Sequence, residues 1–292
     1  MKWTVVKWIG WLLCATALLP QNPEGVLLPK DAGGYGFLEG PAWSRENFVV
    51  FSDIPRNKLI KLTPGEGVED LRTDSGGANG NTYDAAGRLY TCLGRSRRVV
   101  REDRKGHIEI LADRWQGKRL NAPSDIAVRK DGEIYFTDPA FGRQQDTREL
   151  DFYGVYHIPR KGPLEVVAKP AGRPHGIALS PNGRMLYVTN ADERNVRAYD
   201  LDKTGAASNE RVLIAAIPGV PSGIRTSEDG NLFIAAAAIL VYSPQGKLLN
   251  TYTLPEKPSN CAFGDGDLQS LYVTARTSLY RIRLEVKGSL QY

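Results

Sequence analysis

The chain repeats one short pattern along its length. From residue 173 to 190 it reads Arg-Pro-His-Gly-Ile-Ala-Leu-Ser-Pro-Asn-Gly-Arg-Met-Leu-Tyr-Val-Thr-Asn, an apolar strand, a tight turn and a β-rich strand with a polar end. Asn and Gly tolerate the positive φ that a tight hairpin needs, so Pro-Asn-Gly between two such strands predicts a β-hairpin. Five other stretches follow the same order of residue types, opening at Glu39, Asn79, Ser124, Ser222 and Asn260. With His175 as the fourth start, successive starts lie 40, 45, 51, 47 and 38 residues apart. Self-similarity at that period, with four strands per unit, is the mark of propeller blades.

Each hairpin is followed by two more strand candidates, as in residues 196–200 with 212–215 and 239–242 with 248–252. No ten-residue segment sustains apolar residues at i, i+3 and i+4, which argues against long helices. The expected fold is all-β: a six-bladed β-propeller of four-stranded antiparallel blades around a central channel, held by residues 38–292. Residues 18–37 form an N-terminal segment whose Gly25-Val26-Leu27-Leu28 is a candidate strand for closing the last blade. The longest insertion, Ala140 to Tyr153, is rich in Arg, Gln and Asp and is expected as a polar loop at one mouth of the ring.

The N-terminus needs a separate reading. Lys2 and Lys7 precede an apolar run over residues 8–19, and Ala15-Thr16-Ala17 offers a small-residue cleavage site. The run is shorter than the roughly 20 residues that span a bilayer. Residues 1–17 are therefore expected to be a secretory signal peptide, giving a secreted or periplasmic protein with no stable membrane insertion after its removal. Its loss would take two lysines from a net charge of +5. The basic run at residues 95–105 is broken by Glu102 and Asp103 and lacks interleaved aromatics, so no nucleic-acid partner is expected. Cys92 and Cys261 belong to no CxxC pair, and the sequence leaves both a disulfide and two buried thiols open. A monomer is expected.

In a propeller the residue that opens each unit faces the channel. Glu39, Asn79, Ser124, His175, Ser222 and Asn260 are all polar, and six polar groups converging on a concave mouth make a candidate binding site.

Several motifs resemble those of the SMP-30/gluconolactonase family. They are Glu39-Gly40-Pro41-Ala42-Trp43, Asn79-Gly80, Lys118-Arg119-Leu120-Asn121-Ala122-Pro123, Phe136-Thr137-Asp138-Pro139, Asn260-Cys261-Ala262-Phe263-Gly264 and Leu271-Tyr272-Val273-Thr274. They fall in order over residues 38–284. The resemblance implies one divalent metal, usually calcium, in the channel mouth, and hydrolysis of sugar-type lactones there. It places a metal-binding glutamate on Glu39. Where the family has the asparagine ligand of a PNG motif, this chain has Pro174-His175-Gly176. Where it has the aspartate of a PDG motif, ligand and proton acceptor, this chain has Pro221-Ser222-Gly223. The substrate-contacting asparagine of a PND motif is replaced in Pro123-Ser124-Asp125.

The expected function is metal-dependent hydrolysis of a sugar-acid lactone or related cyclic ester. The alternative is a propeller that binds a small polar ligand and has lost the metal chemistry. Expected roles are Glu39 and His175 as metal ligands and His175 and Ser222 as catalytic groups. Asn79, Asn121, Ser124 and Asn260 are expected to bind a small polar cyclic substrate. One carboxylate is few for calcium. Glu with His suits zinc better, and no metal at all is a third outcome. Asp53, Asp125 and Asp138 are candidates for a further oxygen.

Overall fold

A computed structural model describes residues 24–26 and 34–290 of the chain. The region read as a signal peptide lies outside the described residues. Six antiparallel sheets of four strands each form a six-bladed β-propeller. The first blade comprises Leu38–Ser44, Phe48–Asp53, Lys58–Thr63 and Gly67–Arg72. The second runs from Ala78–Tyr83 to Ile108–Ala112, and the third from Ile126–Val128 to Glu165–Ala168. The fourth runs from Pro174–Leu179 to Ala207–Ile214, and the fifth from Ile224–Thr226 to Leu248–Tyr252. The sixth contains Asn260–Gly264, Ser270–Ala275 and Ser278–Arg283. Its outer strand is Glu24–Val26, with Val26 opposite Tyr280. The sheet that closes the ring therefore joins both ends of the chain, which covers an otherwise open edge.

The second strand of most blades is buried along its whole length, as in Leu89–Leu93, Ile134–Asp138 and Ser270–Ala275. Packing explains this. Each such strand has a neighbouring blade on both faces, so it reads as a continuous apolar run rather than an alternating one. The core divides into six clusters, one at each contact between adjacent blades. Val50 and Leu59 of the first blade meet Leu89 and Val100 of the second. Phe233 and Val241 of the fifth meet Phe263 and Val273 of the sixth. Between the sixth and first blades, Trp43 stacks on Tyr272 with ring centroids 5.5 Å apart.

Inner strands approach one another through glycine. A Cβ on Gly40 would lie 2.0 Å from the Asn79 carbonyl oxygen, and one on Gly176 would lie 2.3 Å from that of Ser222. Both glycines directly follow a ring residue. On the first, third and fourth blades a side-chain hydroxyl then links the blade to the next ring residue's backbone. Ser52 Oγ donates to the Asn79 carbonyl at 2.8 Å, Thr137 Oγ1 to that of His175 at 2.5 Å, and Thr189 Oγ1 to that of Ser222 at 2.6 Å.

The insertion expected as a plain polar loop contains a 3-10 helix, Gly142–Thr147. Cys92 and Cys261 are free, buried thiols on the second and sixth blades.

Candidate active site

The six ring residues form two hydrogen-bonded groups and one separate side chain. Glu39, Ser222 and Asn260 make the first group. Ser222 Oγ donates to Glu39 Oε1 at 3.2 Å, the Gly40 backbone N–H donates to Oε2 at 2.9 Å, and Asn260 also bonds the carboxyl. Asn79 and Ser124 make the second, with Asn79 Nδ2 donating to Ser124 Oγ at 3.4 Å. His175 stands between them in blade order. Its Nδ1 is buried without a hydrogen-bond partner, and its ring lies 5.0 Å from that of Phe141, the residue that leads into the 3-10 helix.

Asn121 does not join the ring. It is fully buried, and its Nδ2 donates to the carbonyls of Asp138 at 3.1 Å and Phe152 at 2.9 Å, which ties together the two ends of the insertion. Asp53 and Asp138 are also elsewhere. Asp53 accepts from the backbone N–H groups of Gly36 and Phe37, and Asp138 from those of Asn121 and Ala122. Both carboxyls organise the segment entering their own blade.

Asp125 does reach the channel, but as half of an ion pair. Arg225 Nη1 donates to Asp125 Oδ2 at 3.0 Å and Nη2 to Oδ1 at 3.2 Å, while Ile177 N–H donates to Oδ2 at 3.2 Å. Arg225 also lines a central cavity of about 70 Å³ with Ala42, Thr82, Ala127, Ala178 and Phe263, and Ser289 and Leu290 line the same cavity. Sequence reasoning missed this arginine. The signal was available: the residue three after each ring position is Ala42, Thr82, Ala127, Ala178, Arg225 or Phe263, and one of the six is charged.

The environment shifts both titratable ring residues toward their neutral forms. Burial raises Glu39 to about 7, and the nearby charge of Asp125 adds to this against the hydrogen bonds from Gly40, Asn260 and Ser222. Burial lowers His175 to about 4. Asp125 and the Pro221 carbonyl oppose that shift, whereas Arg173 and Lys257 favour it. Near neutral pH the mouth thus holds a neutral imidazole and a carboxyl divided between its two forms.

That donor set does not fit calcium. Calcium takes six to eight oxygens, with carboxylates setting its affinity. Glu39 is the one carboxyl among the six ring residues, and the three aspartates considered from sequence are bonded to Arg225 or to backbone N–H groups. Among the described residues no group of three or more His, Cys, Asp or Glu gathers where a metal could be held.

A model of the SMP-30/gluconolactonase/LRE-like region matches residues 37–277. The chain belongs to the SMP-30/gluconolactonase family. A gluconolactonase of Zymomonas mobilis is 31% identical over 282 residues, covering 86% of this chain and 79% of that protein. The pentonolactonase XacC of Haloferax volcanii is 27% identical over 250 residues, covering 81% of this chain and 80% of its own. Among solved structures, a gluconolactonase from Xanthomonas campestris superposes with a TM-score of 0.80 at 29% identity, covering 91% of this chain and 97% of that one. These family members are lactonases, and this chain carries the family fold.

Proposed function

We propose that this protein hydrolyses the lactone of a sugar acid in the channel mouth, with Glu39 moving the proton. The carrying observation is the Glu39–Ser222–Asn260 group. It holds one buried carboxyl, poised near neutral pH, inside a wholly polar ring of a lactonase-family propeller. A general base works best with a pKa near the operating pH.

The reaction then runs in two steps. A water oxygen bonds to the lactone carbonyl carbon while its proton passes to the Glu39 carboxylate. Asn79, Ser124 and Asn260 supply donors for the oxyanion that forms. The ring C–O bond breaks next, and the departing alkoxide takes the proton back from Glu39, leaving the open-chain acid. Ser222 on Oε1 and the Gly40 N–H on Oε2 fix the orientation of the carboxyl, and His175 is a second neutral group able to accept a proton. The family resemblance points to a divalent metal. The donors in this ring do not favour calcium, and no step above passes through one. Export by the N-terminal segment belongs to the same reading.

The misfit with calcium also favours a second reading, a small-ligand-binding propeller without turnover. Hydrolysis of a lactone panel, followed by acid release, separates the two. The expected result is turnover above the spontaneous rate that survives a chelator and falls about 100-fold or more in Glu39→Gln, the scale of a lost acid–base group. Absence of turnover across five- and six-membered sugar lactones would sink the enzymatic reading. Activity abolished by chelation and restored by one metal would sink the metal-free mechanism.

A further inference from the structure

The ring residues account for the polar half of a binding site, and the insertion supplies an apolar half that they lack. Phe141 is half-buried, and its ring is tilted 51° to that of His175 at 5.0 Å. On the same ring sits the Arg173 guanidinium, 4.7 Å from the centroid. Arg173 is held in turn by Asp192, which it meets with its Nε, Nη2 and backbone N–H. The backbone is fixed as well, since the Phe141 N–H donates to Gln144 Oε1 at 3.3 Å. A second pairing of the same type, Arg148 over Tyr153 at 4.6 Å, lies near the far end of the insertion. An aromatic ring clamped on its guanidinium side and set against a functional histidine has its position determined from several directions.

The geometry points to Phe141 as a specificity-determining residue. It offers an aromatic surface beside His175 for the C–H face of a cyclic polyol, while the ring of amides and hydroxyls takes the hydroxyl edge. This rests on the lactone reading of the mouth and adds the part of the ligand that the ring residues do not address. A sugar lactone has both surfaces, an apolar face of C–H groups and a polar edge. The open-chain acid has the same hydroxyls without a fixed face, so Phe141 distinguishes cyclic substrate from linear product. Arg173 acts through Phe141 as a positioning residue.

The test measures binding and turnover side by side. D-Glucono-1,5-lactam, which keeps the ring and hydroxyls but resists hydrolysis, is titrated calorimetrically against the parent, Phe141→Ala, Phe141→Trp and Arg173→Gln. D-Gluconate is the linear comparator. Phe141→Ala is expected to weaken lactam binding about tenfold, the scale of one lost aromatic contact, and gluconate binding by less than about twofold. In turnover the same variant should raise KM by a similar factor with kcat little changed. Phe141→Trp should recover most of the loss, and Arg173→Gln should show a smaller loss that vanishes when Phe141 is already Ala.

Equal weakening of lactam and gluconate, or no weakening of either, overturns the inference. Lactone turnover by the parent with an unchanged KM in Phe141→Ala overturns it while leaving the lactonase reading intact. A parent that binds the lactam through Phe141 but turns nothing over refutes only hydrolysis. A parent that binds neither probe refutes both. Should Phe141→Ala fail to fold, Arg173→Gln still decides: a lactam affinity equal to the parent's in that variant overturns the inference.

Discussion

Glu39 occupies a position that serves chemistry at some expense of stability. The residue is 3% exposed, and burial pushes its pKa from 4.5 to about 7. A group whose folded pKa is raised contributes stability that is fully present below the unfolded value and is lost as pH rises through the folded one. Between about pH 4.5 and 7 the protein therefore loses stability, up to roughly 3 kcal/mol from this one residue, since a tenfold change in proton affinity is worth about 1.4 kcal/mol. Glu39→Gln keeps an oxygen to accept from Ser222 and cannot ionise. At pH 8 it should unfold at a higher temperature than the parent, whereas at pH 4 the two should be close. Thermal melts at the two pH values check this, and a variant less stable at pH 8 would refute the raised pKa. The same substitution should cut turnover about 100-fold or more, a trade that functional sites often show. The polar ring was legible from sequence because its members recur at one place in each repeat. Asn121 was misplaced because its signal was a motif rather than a repeat position, and a motif does not say whether a side chain faces the channel or a loop. The Asp125–Arg225 pair was missed for a related reason. Each is the lone charge at its repeat position: the residues following the ring read Gly40, Gly80, Asp125, Gly176, Gly223 and Cys261. Two single exceptions, on the third and fifth blades, do not announce that they meet across the channel.

At the scale of the strand, the ring depends on backbone carbonyls held by hydroxyls of the neighbouring blade. Thr189 is the fullest case. Its Oγ1 donates to the Ser222 carbonyl at 2.6 Å and accepts from the Gly176 N–H at 2.7 Å, so it joins the backbone of two ring positions. Thr189→Val keeps the volume and leaves both backbone groups unpaired inside a buried seam. The expected cost is about 1–3 kcal/mol of stability. Because the freed backbone carries His175 and Ser222, turnover should fall further than folding alone explains. Denaturant titration and steady-state kinetics on the same preparation read the two effects, and intact kinetics would show that the bond is structural only. The hairpins themselves were plain in the sequence: Gly183 of the Ser-Pro-Asn-Gly turn has φ +66°, a conformation that glycine adopts without strain. The conformation of the insertion was not plain. Its order comes from contacts such as Arg97 Nη2 donating to the Thr147 carbonyl at 2.6 Å, made between residues 50 positions apart, and no local pattern encodes such a partner.

The whole molecule is a closed circle of six packing interfaces, and closure changes what damage to one of them does. In an open array of repeats, a weakened contact separates the units on either side and leaves each of them otherwise intact. In this ring every blade has two neighbours, so a single weakened interface leaves all six blades connected the other way round. The contact between the sixth and first blades carries the closure, because there the chain's end meets its beginning. Trp43 fills it, stacked on Tyr272 and packed with Leu38, Phe51 and Leu279. A Cβ on Gly264 would lie 2.8 Å from the indole, a measure of how closely the sixth blade sits on that ring. Trp43→Ala should cost about 3–5 kcal/mol by the general rule for large buried aromatics. It should also loosen the circle at the contact beside the closing sheet, where the sixth blade combines the N-terminal strand Glu24–Val26 with three C-terminal strands. Proteolysis under native conditions is then expected to cut first in the strands flanking that seam, at residues 36–63 and 264–284, while turnover by the surviving molecules stays measurable. A substitution of the same kind away from the closing sheet, Phe233→Ala between the fifth and sixth blades, should lower stability comparably without directing proteolysis to the first blade. Identical cleavage maps for the two variants would mean that the ring unfolds as one unit whichever contact fails, and that the seam has no special standing.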